Sequence, residues 1–153
     1  MGWRPQELAT LRLDEINLDE WYMHAGMKTP AGKQRIVPIH TRVRNLLIKN
    51  YKFALSIGSE YLLNDKGQTH AGSWKLTYDK YANRFKKVMA QLNLNPEHRP
   101  HDPRITFITR CKKANVDEYA LKEMVGHSIQ DITESVYTVR DVEWLRSDLE
   151  KMQ

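Results

Sequence analysis

Residues 100–137, PHDPRITFITRCKKANVDEYALKEMVGHSIQDITESVY, are the stretch of this chain that decides its fold. Proline disfavours helix in the residue before it but fits a first helical turn, so Pro103 predicts a helix that begins beside it. A second helix is predicted from Asp117, a typical N-cap residue, to Gly126, a typical C-terminal stop. Asp131 opens a capping-box pattern, which predicts a short third helix.

Four side chains in this stretch have the chemistry to act together on a phosphate ester. His101 can move a proton, Arg104 can neutralise a phosphate, His127 can donate a hydrogen bond and Tyr137 can act as a nucleophile. His101 and Arg104 are three residues apart, so they fall on nearly one helix face. Tyr137 falls on the short third helix, which is rich in poor helix formers, so we expect the nucleophile to sit on a marginal element.

The remainder of the chain predicts a small antiparallel sheet near the N-terminus, surrounded by amphipathic helices. Proline and glycine in residues 28–33 mark a hairpin turn between the last two strands. We therefore expect an α+β fold that is mainly α-helical, with one three-stranded sheet, in a single domain over residues 1–153. The expected strands are 15–18, 21–27 and 34–39, and the further expected helices are 5–11, 41–57, 76–92 and one that starts at Asp141.

Composition narrows the class of protein. No apolar run approaches the roughly twenty residues that a membrane span needs, and no signal-peptide pattern opens the chain. A cytoplasmic protein is expected. The single cysteine, Cys111, is spaced with apolar residues on a predicted helix, so we interpret it as a small core residue.

Charge is divided unevenly along the chain. Residues 28–113 contain eighteen Lys or Arg and five Asp or Glu, a balance of +13, whereas residues 114–153 carry −5. Basic charge this concentrated favours a nucleic-acid partner, although any one lysine could simply keep a surface solvated. Apart from residues that would act on the reacting phosphate, the basic residues that we expect to contact DNA are Lys33, Arg35, Lys80, Arg84 and Lys87.

A phosphodiester substrate would set clear chemical requirements. A tyrosine hydroxyl has an ordinary pKa near 10, so it attacks well only if charge on the phosphate is neutralised and the leaving oxygen is protonated. The planar forks of Arg4 and Arg104 suit the first task, and a lysine suits the second. No cluster in the sequence has convincing metal-ligand spacing and no glycine-rich nucleotide loop is present, so we expect neither metal nor cofactor.

Five short motifs occur in the order found in one known family. GWRPQEL at 2–8 resembles its first arginine box, and MKT at 27–29 followed by RIVPI at 35–39 resembles its hairpin lysine. HDPR at 101–104 resembles the H-x-x-R box, GHS at 126–128 the third basic box and VYT at 136–138 the nucleophile. Nearly the whole chain therefore resembles the catalytic domain of the tyrosine recombinases, or phage-type integrases.

The resemblance implies cleavage of one DNA strand by Tyr137, which forms a 3′-phosphotyrosyl bond and frees a 5′-hydroxyl. A partner strand's 5′-hydroxyl then attacks that bond, without metal or cofactor, in an assembly of four protomers on two DNA sites. The family's preceding helices and its amino-terminal DNA-clamping domain are expected to be missing here. The roles implied are phosphate clamping by Arg4 and Arg104, general acid catalysis by Lys28, proton transfer by His101, phosphate binding by His127 and support of the arginine site by Glu7.

Two features depart from the commonest family pattern. Ile105 stands where a polar or basic residue is frequent, so one DNA contact is absent from the pattern. The ten-residue step from His127 to Tyr137 is one residue longer than usual and resembles integrases of conjugative and transposon-like elements, which indicates a mobile genetic element.

Three alternatives stay open from the sequence. Lys33 lies in the same predicted turn as Lys28 and could be the general acid instead. The chain could be a DNA-binding module with little strand-transfer activity in this form. A metal-dependent nuclease or phosphatase is a third class, which nothing in the residue spacing favours.

Overall fold

The structure is a computed structural model of the chain that describes residues 1–27, 29–65 and 74–152. Lys28, the expected general acid, lies outside the described residues. The helices are α1 Pro5–Ala9, α2 Thr41–Ser56, α3 Tyr78–Gln91, α4 Asp102–Lys113, α5 Glu118–Val125 and α6 Val142–Leu149; the strands are β1 Ile16–Asn17, β2 Tyr22–Ala25 and β3 Arg35–Pro38.

The three strands form one antiparallel sheet in the order β1-β2-β3, with Met23 of β2 opposite both Ile16 and Val37. A 3₁₀ turn, Pro30–Gly32, lies in the connection between β2 and β3. The predicted fold class, a mainly helical α+β domain with a small three-stranded sheet, is confirmed.

Strand β3 lies between two apolar clusters. Successive side chains of a strand point to opposite faces. Val37 accordingly packs into a cluster built from the sheet and α2, whereas Ile36 packs against a second cluster formed by α4, α5 and α6. Cys111 is fully buried in this second cluster, as predicted, and burial raises the pKa of its thiol to about 11.

The predicted helix boundaries in the C-terminal half are also confirmed. The Asp117 carboxylate caps α5 by accepting a hydrogen bond from the Ala120 amide at 2.8 Å, and Asp141 caps α6 by accepting one from the Trp144 amide at 2.8 Å. The short third helix is a single π-helical turn, Thr133–Tyr137, and none of its residues is buried. Few apolar contacts therefore fix the turn that carries Tyr137.

Parts of the predicted apolar stripes turn out to be exposed. The spacing of apolar residues in 41–57 predicts that Leu46 and Leu55 lie on the core side of α2, but their side chains are 63% and 57% exposed. The contact face of α2 is narrow and centres on Leu47 and Ala54, so these two leucines fall on its flanks. In α3, only Met89 among the described residues is buried.

Candidate active site

A buried ion pair joins α1 to β3. Two nitrogens of the Arg35 guanidinium, Nη1 and Nη2, donate to Glu7 Oε1 at 3.0 Å and Glu7 Oε2 at 2.8 Å. Burial alone would raise the pKa of Glu7, but the hydrogen bonds and charge of Arg35, helped by Arg4, outweigh it and lower the pKa to about 2. Glu7 is therefore a carboxylate over the whole range in which the protein is expected to work.

The structure does not place Arg35 where a DNA contact was expected. Its side chain is buried, its Nη1 also donates to the Gly32 carbonyl at 2.6 Å, and the guanidinium carbon lies 4.2 Å from the centre of the Trp3 ring. An arginine that stacks on a tryptophan and binds a carboxylate with both ends of its fork has little capacity left for a phosphate. We therefore assign Arg35 to the interior of the site.

The C-terminus of α5 holds three arginines by three consecutive carbonyls. The Met124 carbonyl accepts from Arg35 Nε at 3.0 Å, the Val125 carbonyl accepts from Arg104 Nη2 at 2.6 Å, and the Gly126 carbonyl accepts from Arg4 Nη2 at 3.3 Å. The last carbonyls of a helix have no partner within it and carry the negative end of the helix dipole, so cations are favoured there.

Arg104 is the more deeply placed of the two predicted clamp residues. It lies in the first turn of α4, is only 3% exposed, and its Nη1 also donates to the Gly2 carbonyl at 2.5 Å. Burial, and then the charges of Arg4 and Arg35, lower its pKa to about 10. Glu7 binds Arg4 and Arg35 but not Arg104, so the group of three guanidiniums retains positive charge that an anion would compensate.

Arg4 connects this cluster to the surface. Its amide and its Nη1 both donate to the Glu7 carboxylate, at 3.0 and 3.1 Å, and its side chain is partly exposed. Arg4 therefore bridges Glu7 and the end of α5. Arg4 and Arg104, the two predicted clamp residues, thus contact adjacent carbonyls of one helix end.

His127 lies immediately after this helix end. Gly126 adopts a left-handed conformation, φ +69°, and the amides of Gly126 and His127 turn back to the carbonyls of Glu123 at 3.1 Å and Lys122 at 2.9 Å. This C-cap arrangement fixes the backbone of His127. Burial, and then the charges of Arg104 and Arg4, lower the pKa of the His127 imidazole, so the neutral ring is favoured.

Gly126 also permits a close approach of two backbones. A Cβ atom on Gly126 would lie 2.7 Å from the Cα of Gly32, in the turn between β2 and β3. That turn is therefore packed directly on the end of α5. The turn between the 27–29 and 35–39 segments thus meets the motif with the expected third basic residue at this contact.

A cavity of about 530 Å³ opens beside the arginines. Arg4, Glu7 and His101 line it together with Met27, the residue before Lys28. Tyr78, at the start of α3, lines it too, although sequence reasoning gave Tyr78 no role at the site. The only sequence feature that could have indicated it is its position at the beginning of a basic helix.

Tyr137 is not brought into this cavity. Its side chain is 78% exposed, and no hydrogen bond joins its hydroxyl to any residue in 1–27, 29–65 or 74–152. The structure thus places Arg4 and His101 at one cavity, with Arg104 and His127 beside Arg4 at the end of α5, and leaves the predicted nucleophile on an exposed turn.

The remaining basic candidates lie on the surface. Lys80 and Arg84 of α3 both pair with Asp65, with Arg84 Nη2 at 3.1 Å from the carboxylate. Lys33 and Lys87 are exposed. Two of the three DNA-contact candidates on α3, Lys80 and Arg84, are therefore partly neutralised by one carboxylate.

Two further observations bear on the class of protein. No three His, Cys, Asp or Glu residues in the described ranges are grouped so that they could bind a metal ion. No described helix combines the length and apolar character that crossing a membrane requires.

Comparison with known proteins defines the family. The model of the phage integrase family matches residues 1–143, and this chain belongs to that family, the tyrosine recombinases. It is 31% identical to the tyrosine recombinase XerD of Staphylococcus haemolyticus, over 90% of this chain and 45% of the relative. It is 32% identical to the tyrosine recombinase XerA of Thermococcus kodakarensis, over 98% of this chain and 51% of the relative. The chain thus spans about half the length of these relatives.

Solved structures show the same fold. The integrase from mycobacterium phage Brujita superposes with a TM-score of 0.69 at 19% identity, over 99% of this chain and 47% of that one. A crystal structure of XerA recombinase gives a TM-score of 0.65 at 21% identity, over 95% of this chain and 52% of that one.

The Glu7 site predicts a specific pH dependence of stability. Because folding lowers the pKa of Glu7 from 4.5 to about 2, its contribution is fully present above pH 4.5 and is lost as the pH falls towards 2. The shift corresponds to a contribution on the order of 3 kcal/mol. Glu7→Gln should therefore lower the free energy of unfolding at pH 7 and flatten its pH dependence in this window, as measured by urea denaturation.

Glu97→Gln, which removes an exposed carboxylate, is the matched control and should keep the parent profile. A Glu7→Gln variant whose stability follows the parent curve at every pH would contradict the ion pair.

Burial and the charges of the nearby arginines predict a lowered pKa for the His127 imidazole. Its titration midpoint, followed by NMR of the imidazole, should lie below the ordinary value of about 6.5. Arg4→Gln removes one of the charges that lower the pKa of His127, so the midpoint should rise. A midpoint that does not move in this variant would show that Arg4 does not face the ring.

Proposed function

We propose that this chain is the catalytic part of a site-specific DNA recombinase that cleaves and rejoins strands through Tyr137. The observation that carries the proposal is the end of α5, where three consecutive carbonyls hold Arg35, Arg104 and Arg4 around a single carboxylate. The surplus positive charge beside an open cavity suits a phosphodiester. Membership of the family and the names of its relatives support the same chemistry.

In the proposed reaction, the Tyr137 hydroxyl attacks the phosphorus while its proton passes to His101. The bond from phosphorus to the 5′ oxygen breaks, and Lys28 gives that oxygen its proton. The products are a 3′-phosphotyrosyl ester and a free 5′-hydroxyl. One ester bond replaces another, so a later attack by a 5′-hydroxyl from a partner strand rejoins DNA without an outside energy source.

The arginines stabilise charge on the phosphate during this exchange. Arg4, which is partly exposed, and Arg104 contact the non-bridging oxygens, and neutral His127 donates a hydrogen bond to one of them. Glu7 keeps Arg4 in place through a hydrogen bond, and Arg35 links Glu7 to the Met124 carbonyl of α5. The pKa of His127 would rise when the phosphate binds, because the anion compensates the charges that lower it.

Tyr137 must move to reach the phosphate. Its π-helical turn has no buried residue, so displacing it breaks few apolar contacts and costs little. We infer that the turn docks over the cavity when DNA is bound. Because the arginine cluster is built from other elements, it does not depend on that movement.

The proposed substrate is double-stranded DNA, with contacts from Lys33, Lys80, Arg84 and Lys87. In the full-length protein we propose a tetramer on two DNA sites, encoded by a mobile genetic element and acting in the cytoplasm. The present chain would supply its catalytic domain.

A second candidate function is a DNA-binding module without strand transfer. The exposed Tyr137 and the exposed Ile105, which lies beside Arg104 on α4, favour it. The two functions differ in one product, the covalent adduct between protein and DNA.

Tyr137→Phe tests the proposal. The probe is a pool of nicked duplexes whose sequence is randomised around the nick. Because of the nick, the short cleaved strand diffuses away and cannot be rejoined, so the covalent adduct accumulates. The parent should form an adduct that survives denaturation with detergent, and Tyr137→Phe should form none because it lacks the attacking oxygen. Arg104→Gln should also lose the adduct, while retention of the pool on a filter under native conditions changes only a few-fold.

Tyr22→Phe, in β2, removes a hydroxyl outside the cavity and should leave adduct formation unchanged. An adduct that persists in Tyr137→Phe would assign the nucleophile to another residue. Retention of the pool without any adduct from the parent would establish the binding module instead.

A further inference from the structure

Arg140 is the one buried residue between His127 and Asp141, all of which the structure describes. It is 9% exposed and follows the exposed turn that carries Tyr137 by three residues. Neither the sequence patterns nor the proposed chemistry assigns it a role. A buried arginine needs partners that compensate its charge.

Three carboxylates from two elements surround the Arg140 guanidinium. Its Nη1 donates to Glu123 Oε1 at 3.0 Å, its Nη2 pairs with Glu134, and its Nε lies 3.4 Å from Asp117 Oδ1. The Nε contact is within ion-pair distance but lacks hydrogen-bond geometry. Asp117 and Glu123 belong to the N-cap and body of α5, whereas Glu134 belongs to the π-helical turn.

Two aromatic rings complete this environment. The guanidinium carbon lies 5.4 Å from the centre of the Tyr119 ring, on α5, and 5.2 Å from that of the Trp144 ring, on α6. Cation–π contacts at such distances hold an arginine side chain in place. Arg140 is thus fixed by α5 and α6 together.

The contact with Glu134 closes a short loop around the nucleophile. Glu134 precedes Tyr137 by three residues and Arg140 follows it by three, so their ion pair joins the two ends of the segment. Glu123 then attaches that closed segment to α5, the helix whose carbonyls hold Arg4 and Arg104. The nucleophile and the phosphate clamp are therefore anchored on one helix.

We propose that Arg140 is a positioning residue that sets where Tyr137 can move relative to the arginine cluster, acting through Glu134 and Glu123. This inference rests on the proposed function. When the turn docks over DNA, Arg140 acts as the fixed point about which it moves. Without Arg140, three carboxylates would face one another, and their repulsion would detach the turn from α5.

The experiment compares Arg140→Gln and Arg140→Lys with the parent on the pool of nicked duplexes. Arg140→Gln should slow adduct formation by about tenfold to a hundredfold, because a reacting group displaced by an ångström loses that much rate. Arg140→Lys keeps the charge and should recover much of the lost rate. Native retention of the pool should stay close to the parent in both variants, since the arginine cluster is untouched.

Arg146→Gln is the matched control. Arg146 lies on α6 and pairs with Glu143 on that same helix, so its loss removes an arginine ion pair that does not involve the turn. Adduct formation and native retention should both match the parent. Adduct formation at the parent rate in Arg140→Gln, or an equal loss of adduct and native retention, would overturn the proposal.

Amide hydrogen exchange at residues 133–138 separates this inference from the proposed function. Arg140→Gln should accelerate exchange in this segment and leave exchange in α5 unchanged. If the parent forms no adduct, the proposed function fails, and the exchange still decides whether Arg140 anchors the turn. Unchanged exchange at 133–138 would show that Arg140 does not anchor it.

Discussion

The C-terminus of α5 is the constraint on which the rest of the site depends. A helix end leaves carbonyls without partners, and here three in succession are satisfied by Arg35, Arg104 and Arg4. These arginines come from β3, α4 and the start of α1, which are far apart in sequence. One helix end therefore sets the spacing of the clamp, and the fold places the other elements around it.

The Glu7 carboxylate, paired with buried Arg35, reduces the electrostatic repulsion among the arginines. Removing either partner of a buried pair leaves an uncompensated charge, so the two residues are coupled to each other and to the clamp. Glu7 also accepts hydrogen bonds from Arg4, so it links the buried arginine to the partly exposed one. Arg35 then ties the turn after β2 to α5 through the Gly32 and Met124 carbonyls.

Much of the fold could be predicted from the sequence, because its helices and turns have strong local determinants. Asp117, Gly126 and Asp141 mark helix ends through their own backbone and side-chain chemistry, and the structure confirms each. The interior role of Arg35 could not be predicted, since its motif resembles a DNA-facing hairpin and its partners lie 28 and 89 residues away. Arg140 was missed for a related reason: although Glu134 and Trp144 are close to it in sequence, its other partners belong to α5, and no local pattern indicates them.

The close approach of Gly126 to Gly32 tests most directly the claim that the C-terminus of α5 organises the site, and Gly58 provides the control. Gly126 and Gly58 have similar positive φ angles, +69° and +71°, but a Cβ atom on Gly58 would meet nothing within 4 Å. Alanine at either position adds left-handed strain of about 1 kcal/mol. In urea denaturation, Gly126→Ala should lose clearly more free energy of unfolding than Gly58→Ala, because it also separates the turn from the helix end. Equal losses would show that the α5 terminus does not organise the site.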